Sequence, residues 1–221
     1  MEHELVILPD AAALATRAAQ MVEERAAAAV AGHGGFTFAV SGGKTPWAMF
    51  AELGGGRVRW EAVRIFQVDE RVAPAGSADR NLTHLRQSLG EAAAEVVPMP
   101  VDDPDLEAGA AAYAALLPDR FDLVHLGLGP DGHTASLVPG DPVLGVTQRL
   151  VALTQPYQGN RRMTLTYPAL ARAQEVLWLV SGEDKRESLA KLLAGDPSIP
   201  ASGVHAGRSI ILADAAATAR P

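Results

Sequence analysis

The segment Gly127-Leu128-Gly129-Pro130-Asp131-Gly132-His133-Thr134-Ala135-Ser136-Leu137 puts a carboxylate two residues before an imidazole, with glycines on either side. A carboxylate beside a histidine fixes the ring tautomer and raises its basicity, which suits a general base acting on water. No Gly-x-Ser-x-Gly elbow occurs, so a serine nucleophile does not fit. The structural alternative is a turn that His133 merely caps. Three glycines and a proline before it make so costly a loop hard to explain by packing.

Four other segments carry usable chemistry. In Ser41-Gly42-Gly43-Lys44-Thr45-Pro46 two glycines allow close backbone approach, and a following helix start offers unpaired N–H groups. Ser41 and Thr45 add hydroxyls, so the segment suits a phosphate; its alternative is a plain strand-to-helix turn. It is neither a Walker A loop nor a GxGxxG fingerprint, which leaves both nucleotide classes unsupported. Asp69-Glu70-Arg71 is either a structural ion pair at a strand end or a segment that turns Asp69 or Arg71 into a cleft. Arg162, entering a strand, and Lys185, after another, can reach one cleft edge, where Arg grips phosphate bidentately and Lys acts as a point charge. Taken singly, each is equally ordinary surface charge.

Metal chemistry has little to build on. The chain has no Cys, no HExxH and no paired His at helical spacing. His3, His33, His84 and His205 stand without evident partners, and His125 reads as a satisfied core histidine. Asp131, His133 and Asp69 would be the ligands of any metal site, but no metal is expected.

These segments need elements to hold them. Leu5–Leu8, Phe36–Val40, Val63–Val68, Phe121–Leu128, Arg149–Thr154, Met163–Thr166, Val176–Val180 and Ser209–Leu212 read as strands. Helices are expected from Asp10 as cap to about Ala31 with Gly32 as stop, over Pro46–Leu53, over Asn81–Leu89, after an Asp103 cap with Pro104 first, and over Glu183–Leu193. The alternation of strand and helix predicts an α/β fold, a mostly parallel sheet with helices on both faces. Ligands bind at the carboxyl ends of strands in such sheets, and the Ser41, Asp69, Gly127 and Lys185 segments each run along or follow the end of one.

Composition sets the outer bounds. The 221 residues are 48% hydrophobic and 20% charged, with 21 Gly and 15 Pro, which is the globular range. No repeat or composition break appears, so residues 1–221 read as a single domain. The net charge of −7 argues against nucleic acid as partner, though a local pocket can still attract a small anion. No apolar run reaches membrane-spanning length and the acidic start is unlike a signal peptide, so a cytoplasmic protein without membrane contact is expected.

Together Asp69-Glu70-Arg71, Gly127 to Leu137, Ser41 to Pro46 and Arg162-Met163-Thr164-Leu165-Thr166 resemble the 6-phosphogluconolactonases in order and spacing, over about residues 5 to 217. The Gly-x-Gly-x-Asp-Gly-His stretch is shared with the sister glucosamine-6-phosphate deaminases. Those continue with Phe-Asn-Glu-Pro, placing a catalytic Glu where this chain has Val138, and carry Tyr where it has Arg71. Val cannot shuttle the proton that ring opening and amine release require. The chain departs from the lactonases at Arg80, where Ser is common, while Asn81 matches.

The resemblance implies a three-layer α/β/α fold with a Rossmann-like, NagB/RpiA-like sheet. It also implies hydrolysis of 6-phospho-D-glucono-1,5-lactone in the oxidative pentose phosphate pathway, with no cofactor. His133 is then the base on water and Asp131 orients it. Arg71 polarises the carbonyl or holds the phosphate, and Asp69 acts or supports. Ser41, Gly42, Gly43, Thr45, Arg162 and Lys185 receive the phosphate. The expected partner is that small sugar-phosphate lactone alone, and a monomer is expected.

Overall fold

A computed structural model describes residues 2–54, 58–92 and 94–218. Strand β1 (Glu4–Leu8) leads to helix α1 (Ala11–His33), whose first turn is capped by Asp10 accepting from the Ala13 N–H at 2.8 Å. Strand β2 (Phe36–Val40) runs into α2 (Lys44–Gly54), and β3 (Val63–Gln67) is followed at once by the short β4 (Asp69–Arg71). Helix α3 (Asn81–Leu89), β5 (Glu95–Val97), α4 (Leu106–Leu116) and β6 (Phe121–Gly127) come next. After them come β7 (Val151–Leu153), β8 (Arg162–Leu165), α5 (Tyr167–Leu170), β9 (Ala173–Val180), α6 (Arg186–Ala194), β10 (Arg208–Asp214) and α7 (Ala215–Thr218).

Among the described residues, seven strands pair in the order β1-β10-β9-β6-β2-β3-β5, all parallel. Both faces are buried, so the strands read as near-continuous apolar runs. Along β9, Val176, Trp178 and Val180 pack on one side and Leu177 and Leu179 on the other. Helices α1, α2 and α3 cover the second side, and α4, α6 and α7 the first. Each large side chain so buried contributes about 1.5–3 kcal/mol. The expected three-layer α/β fold is what forms.

The expected strands at 149–154 and 163–166 form, but not in this sheet. As β7 and β8 they pair antiparallel with each other, and β8 pairs antiparallel with β4, giving a separate sheet of order β4-β8-β7. It hangs from the carboxyl end of the main sheet, where the Leu165 N–H donates to the Val68 carbonyl at 2.7 Å.

Boundaries shift for local reasons. Helix α1 runs through Gly32 and stops at Gly34, which takes the left-handed φ of +88° and donates to the Val30 carbonyl. The cap of α4 is Asp105, not Asp103: its carboxylate accepts from the Glu107 and Ala108 N–H groups, while Asp103 accepts from Asp105. Helix α2 begins two residues before Pro46, which its first turn tolerates because the missing N–H would be unpaired there. The expected 183–193 helix opens with a 3₁₀ turn, Glu183–Lys185, before α6.

Candidate active site

Four loops follow neighbouring strands at the carboxyl edge of the main sheet. Taken along the edge they leave β9, β6, β2 and β3, and carry Lys185, the Asp131–His133 loop, the Ser41 loop and Asp69. Adjacent strands lie about 4.8 Å apart, so topology alone brings the last three within reach of one small ligand.

The His133 loop is tightly made. The Gly129 N–H donates to the His133 carbonyl at 2.8 Å, and the Gly132 N–H to the Gly129 carbonyl at 3.0 Å. Asp131 Oδ1 accepts from the His133 backbone N–H at 3.1 Å and lies 2.5 Å from His133 Nδ1. A carboxylate on Nδ1 places the proton there and leaves the Nε2 lone pair outward. The His133 side chain is 22% exposed, so water reaches it. Burial works to raise Asp131, but the hydrogen bonds and charge of His133, joined by Tyr157, outweigh it and hold the carboxyl below its usual range. A Cβ at Gly129 would collide with the His133 ring, which explains the glycine.

The small sheet supplies the cations. Register sets Arg71 directly across from Arg162 and Asp69 across from Thr164, so all four side chains share one face. Arg71 Nη1 donates to the Asp79 carbonyl at 2.8 Å and to Asn81 Oδ1 at 3.2 Å. Arg162 is buried and its Nε has no hydrogen-bond partner. Among the described residues neither arginine has an ion pair. Burial first, with Arg71 beside it, works against the charge on Arg162, and Asp69 works for it. Asp69 itself is buried and pushed up by that burial; its Oδ2 accepts from the Ser136 hydroxyl at 2.6 Å.

Glu70 points to the opposite face, fully buried. It accepts from the Arg71, Asn81 and Leu82 N–H groups, each at 2.8 Å, and from Gln67 Nε2 at 2.8 Å. Arg80 Nε lies 3.3 Å away as its counter-charge. No ion pair forms within the Asp69-Glu70-Arg71 triplet: Glu70 is structural but pairs with Arg80, while Asp69 and Arg71 lie on the opposite face of β4.

The Ser41 loop joins through Asn81, whose amide nitrogen donates to the Asp69 carbonyl at 3.2 Å. A Cβ on Gly42 would collide with the Asn81 side chain, and Gly43 takes a φ of +134°. Thr45 lies in the first turn of α2. The Ser41 N–H donates to His125 Nδ1 at 3.2 Å. His125 is fully buried and its Nε2 has no partner, so it is only half the satisfied core histidine its sequence context suggests. Burial holds its imidazole down to about 3, so the ring is neutral.

A continuous chain of contacts therefore runs from Gly42 through Asn81, Asp69 and Arg71 to Arg162, and through Tyr157 to Asp131 and His133. Lys185 stands outside it; its ammonium lies 2.8 Å from Asp184 Oδ2. Asp69 lies apart from the Asp131–His133 pair, and among the described residues no three His, Asp or Glu side chains gather as metal ligands. Tyr157, Asn81, Ser136 and His125 join the site without having been singled out for it. Two of them carry a signal in the sequence: Ser136 lies in the Gly127–Leu137 segment, and Asn81 matches the lactonase pattern.

Fold and site define a class: a three-layer α/β protein with an Asp–His pair and two arginines without carboxylate partners at the carboxyl edge of a parallel sheet. The chain belongs to the glucosamine-6-phosphate isomerase/6-phosphogluconolactonase family, whose model matches residues 9–212. It is 32% identical to a 6-phosphogluconolactonase of Nostoc sp. over 99% of this chain and 98% of the relative. It is 35% identical to a 6-phosphogluconolactonase of Mycobacterium tuberculosis over 92% of each. The crystal structure of 6-phosphogluconolactonase from Thermotoga maritima superposes with a TM-score of 0.87 at 26% identity, covering 96% of this chain and 100% of that one. A monomeric glucosamine-6-phosphate deaminase shares the fold, with a TM-score of 0.84 at 17% identity. Among the described residues no helix is long and apolar enough to cross a membrane.

Proposed function

We propose that this chain hydrolyses 6-phospho-D-glucono-1,5-lactone to 6-phosphogluconate, the lactone-opening step of the oxidative pentose phosphate pathway, with His133 activating water. The observation that carries the reading is the Asp131–His133 pair on the same edge as two arginines that lack carboxylate partners. Relatives named 6-phosphogluconolactonase over nearly the whole chain support it. So does Val138, buried where the deaminases carry their acid.

In this reading His133 Nε2 takes a proton from water as the water oxygen bonds to the lactone carbonyl carbon. Collapse of the tetrahedral intermediate breaks the bond to the ring oxygen, which receives that proton. Asp131 orients the imidazole and stabilises its cationic form between the two transfers. Positioned bases contribute roughly 10²–10⁴-fold. Arg162, with Ser41, Gly42, Gly43 and Thr45, receives the phosphate; Lys185, held by Asp184, would have to leave that carboxylate to join them. Arg71, level with Arg162, serves the phosphate or the carbonyl; Asp69 supports by fixing Ser136 and Asn81. Binding the remote phosphate helps hold the lactone in line for attack.

The test is a pH-stat assay with freshly generated lactone, corrected for spontaneous opening. Acceleration of the phosphorylated over the unphosphorylated lactone is expected. No acceleration of either, or release of ammonia from glucosamine 6-phosphate, overturns the reading.

A further inference from the structure

Between the Asp–His pair and the arginines stands a tyrosine that no role above uses. Tyr157 opens the turn between β7 and β8. It exchanges backbone hydrogen bonds with Asn160 at 2.9 and 3.2 Å across Gln158 and Gly159, whose φ values are +50° and +84°. Both central residues lie at positive φ, as in the tight turns that match strand twist, and Gln158 adopts this region against its ordinary preference. The turn holds the ring in a fixed place.

Three contacts converge on that ring. Its hydroxyl donates to Asp131 Oδ2 at 3.1 Å, the oxygen His133 leaves unused. Its edge meets the His133 ring at a centroid distance of 5.6 Å and 65°. The Arg162 guanidinium carbon lies 5.0 Å from its centroid. Gln158 Nε2 donates to the hydroxyl oxygen at 3.3 Å, which leaves the hydroxyl proton for Asp131. Burial, then the charge of Asp131, raise the Tyr157 titration and keep that proton in place.

We propose that Tyr157 is a positioning residue that ties the Asp131–His133 pair to the arginine seat, locking the carboxylate by its hydroxyl and the guanidinium by its ring. With Oδ1 held by His133 and Oδ2 by Tyr157, Asp131 cannot swing. With no carboxylate and an unpartnered Nε, Arg162 takes its orientation from the aromatic face. The division of labour rests on the lactonase reading for its kinetic consequences, but the tie itself does not.

Two variants separate the halves. Tyr157→Phe removes only the hydroxyl: kcat falls about ten-fold, while the KM for lactone and the Kd for inorganic phosphate stay within two-fold. Tyr157→Leu removes the ring as well, and phosphate binding weakens by a further factor of about five. In isotope-labelled protein, the proton resonance of His133 Nδ1–H weakens by faster exchange in Tyr157→Phe. Wild-type kcat and an unchanged resonance in Tyr157→Phe overturn the hydroxyl's part. Equal phosphate Kd in the Phe and Leu variants overturns the ring's. If Tyr157→Leu does not fold, Tyr157→Met takes its place. Should the wild type leave the lactone untouched, the functional reading falls, while phosphate binding and the resonance still decide the tie.

Discussion

Arginines at the two ends of the main sheet meet opposite fates. At the amino end, Glu175 in β9 is buried and accepts from Arg25 at 2.8 and 3.2 Å and from Arg208 at 3.3 Å; Arg208 also reaches Glu4 at 2.5 Å. Each of these four charges, Glu175, Arg25, Arg208 and Glu4, has an opposite partner within the cluster. At the carboxyl end, Arg71 and Arg162 sit level on one face with Asp69 beyond ion-pair distance, and Asp69 already accepts from Ser136. A buried cation without a carboxylate is costly to keep unless something else completes it. The first cluster closes the frame; the second keeps its arginines free of carboxylates, as the anion seat we propose requires.

Four changes break or sharpen that contrast. The largest effect is expected from His133→Ala, with kcat lower by about 10²–10⁴-fold and an unchanged melting temperature. A loss of only a few-fold moves the base elsewhere. Arg162→Ala comes next: KM rises about ten- to a hundred-fold, more than kcat falls. An unchanged KM for the phosphorylated lactone removes Arg162 from the open end.

The third prediction concerns His125 beneath the Ser41 loop. Its folded value of about 3 lies below the unfolded value near 6.5, so below pH 6.5 the unfolded chain gains a proton the folded chain refuses. Stability therefore drops as pH falls from about 6.5 toward 3, by about 2 kcal/mol at pH 5. Urea unfolding at pH 7 and pH 5 shows this in the wild type and much less in His125→Leu; equal drops in both assign the loss to other groups. The smallest effect is Glu175→Gln, which costs about 1–2 kcal/mol of stability and leaves kcat and KM alone. A kinetic change there dissolves the distinction between the two ends.

The sequence shows the open end more clearly than its assembly. Strand β6 and the loop after it are legible because an apolar run breaks into glycines around Asp131 and His133. Met163–Thr166 is legible as a strand, but not as a partner of residues 69–71, because that pairing spans over ninety residues and carries no local period. Three-residue β4 and β5 are too short to show alternation. Gly32 and Asp103 were plausible punctuation two positions early, where only the realised turn decides which Gly or Asp is used. Tyr157 meets Asp131 and His133 more than twenty residues away in the chain, so nothing adjacent to it in sequence announces that it joins them to Arg162.

The grip of Glu70 on Asn81, Leu82 and Arg71 has an electrostatic consequence. Side chains alternate along a strand, so sliding β4 by one residue would swing Arg71 inward and Glu70 outward. A face that presents cations would present a carboxylate instead, with no change in composition. The polarity of the arginine-bearing face is thus guarded by a carboxylate turned away from it, so damage to Glu70 would alter the charge of a face on which Glu70 itself does not lie.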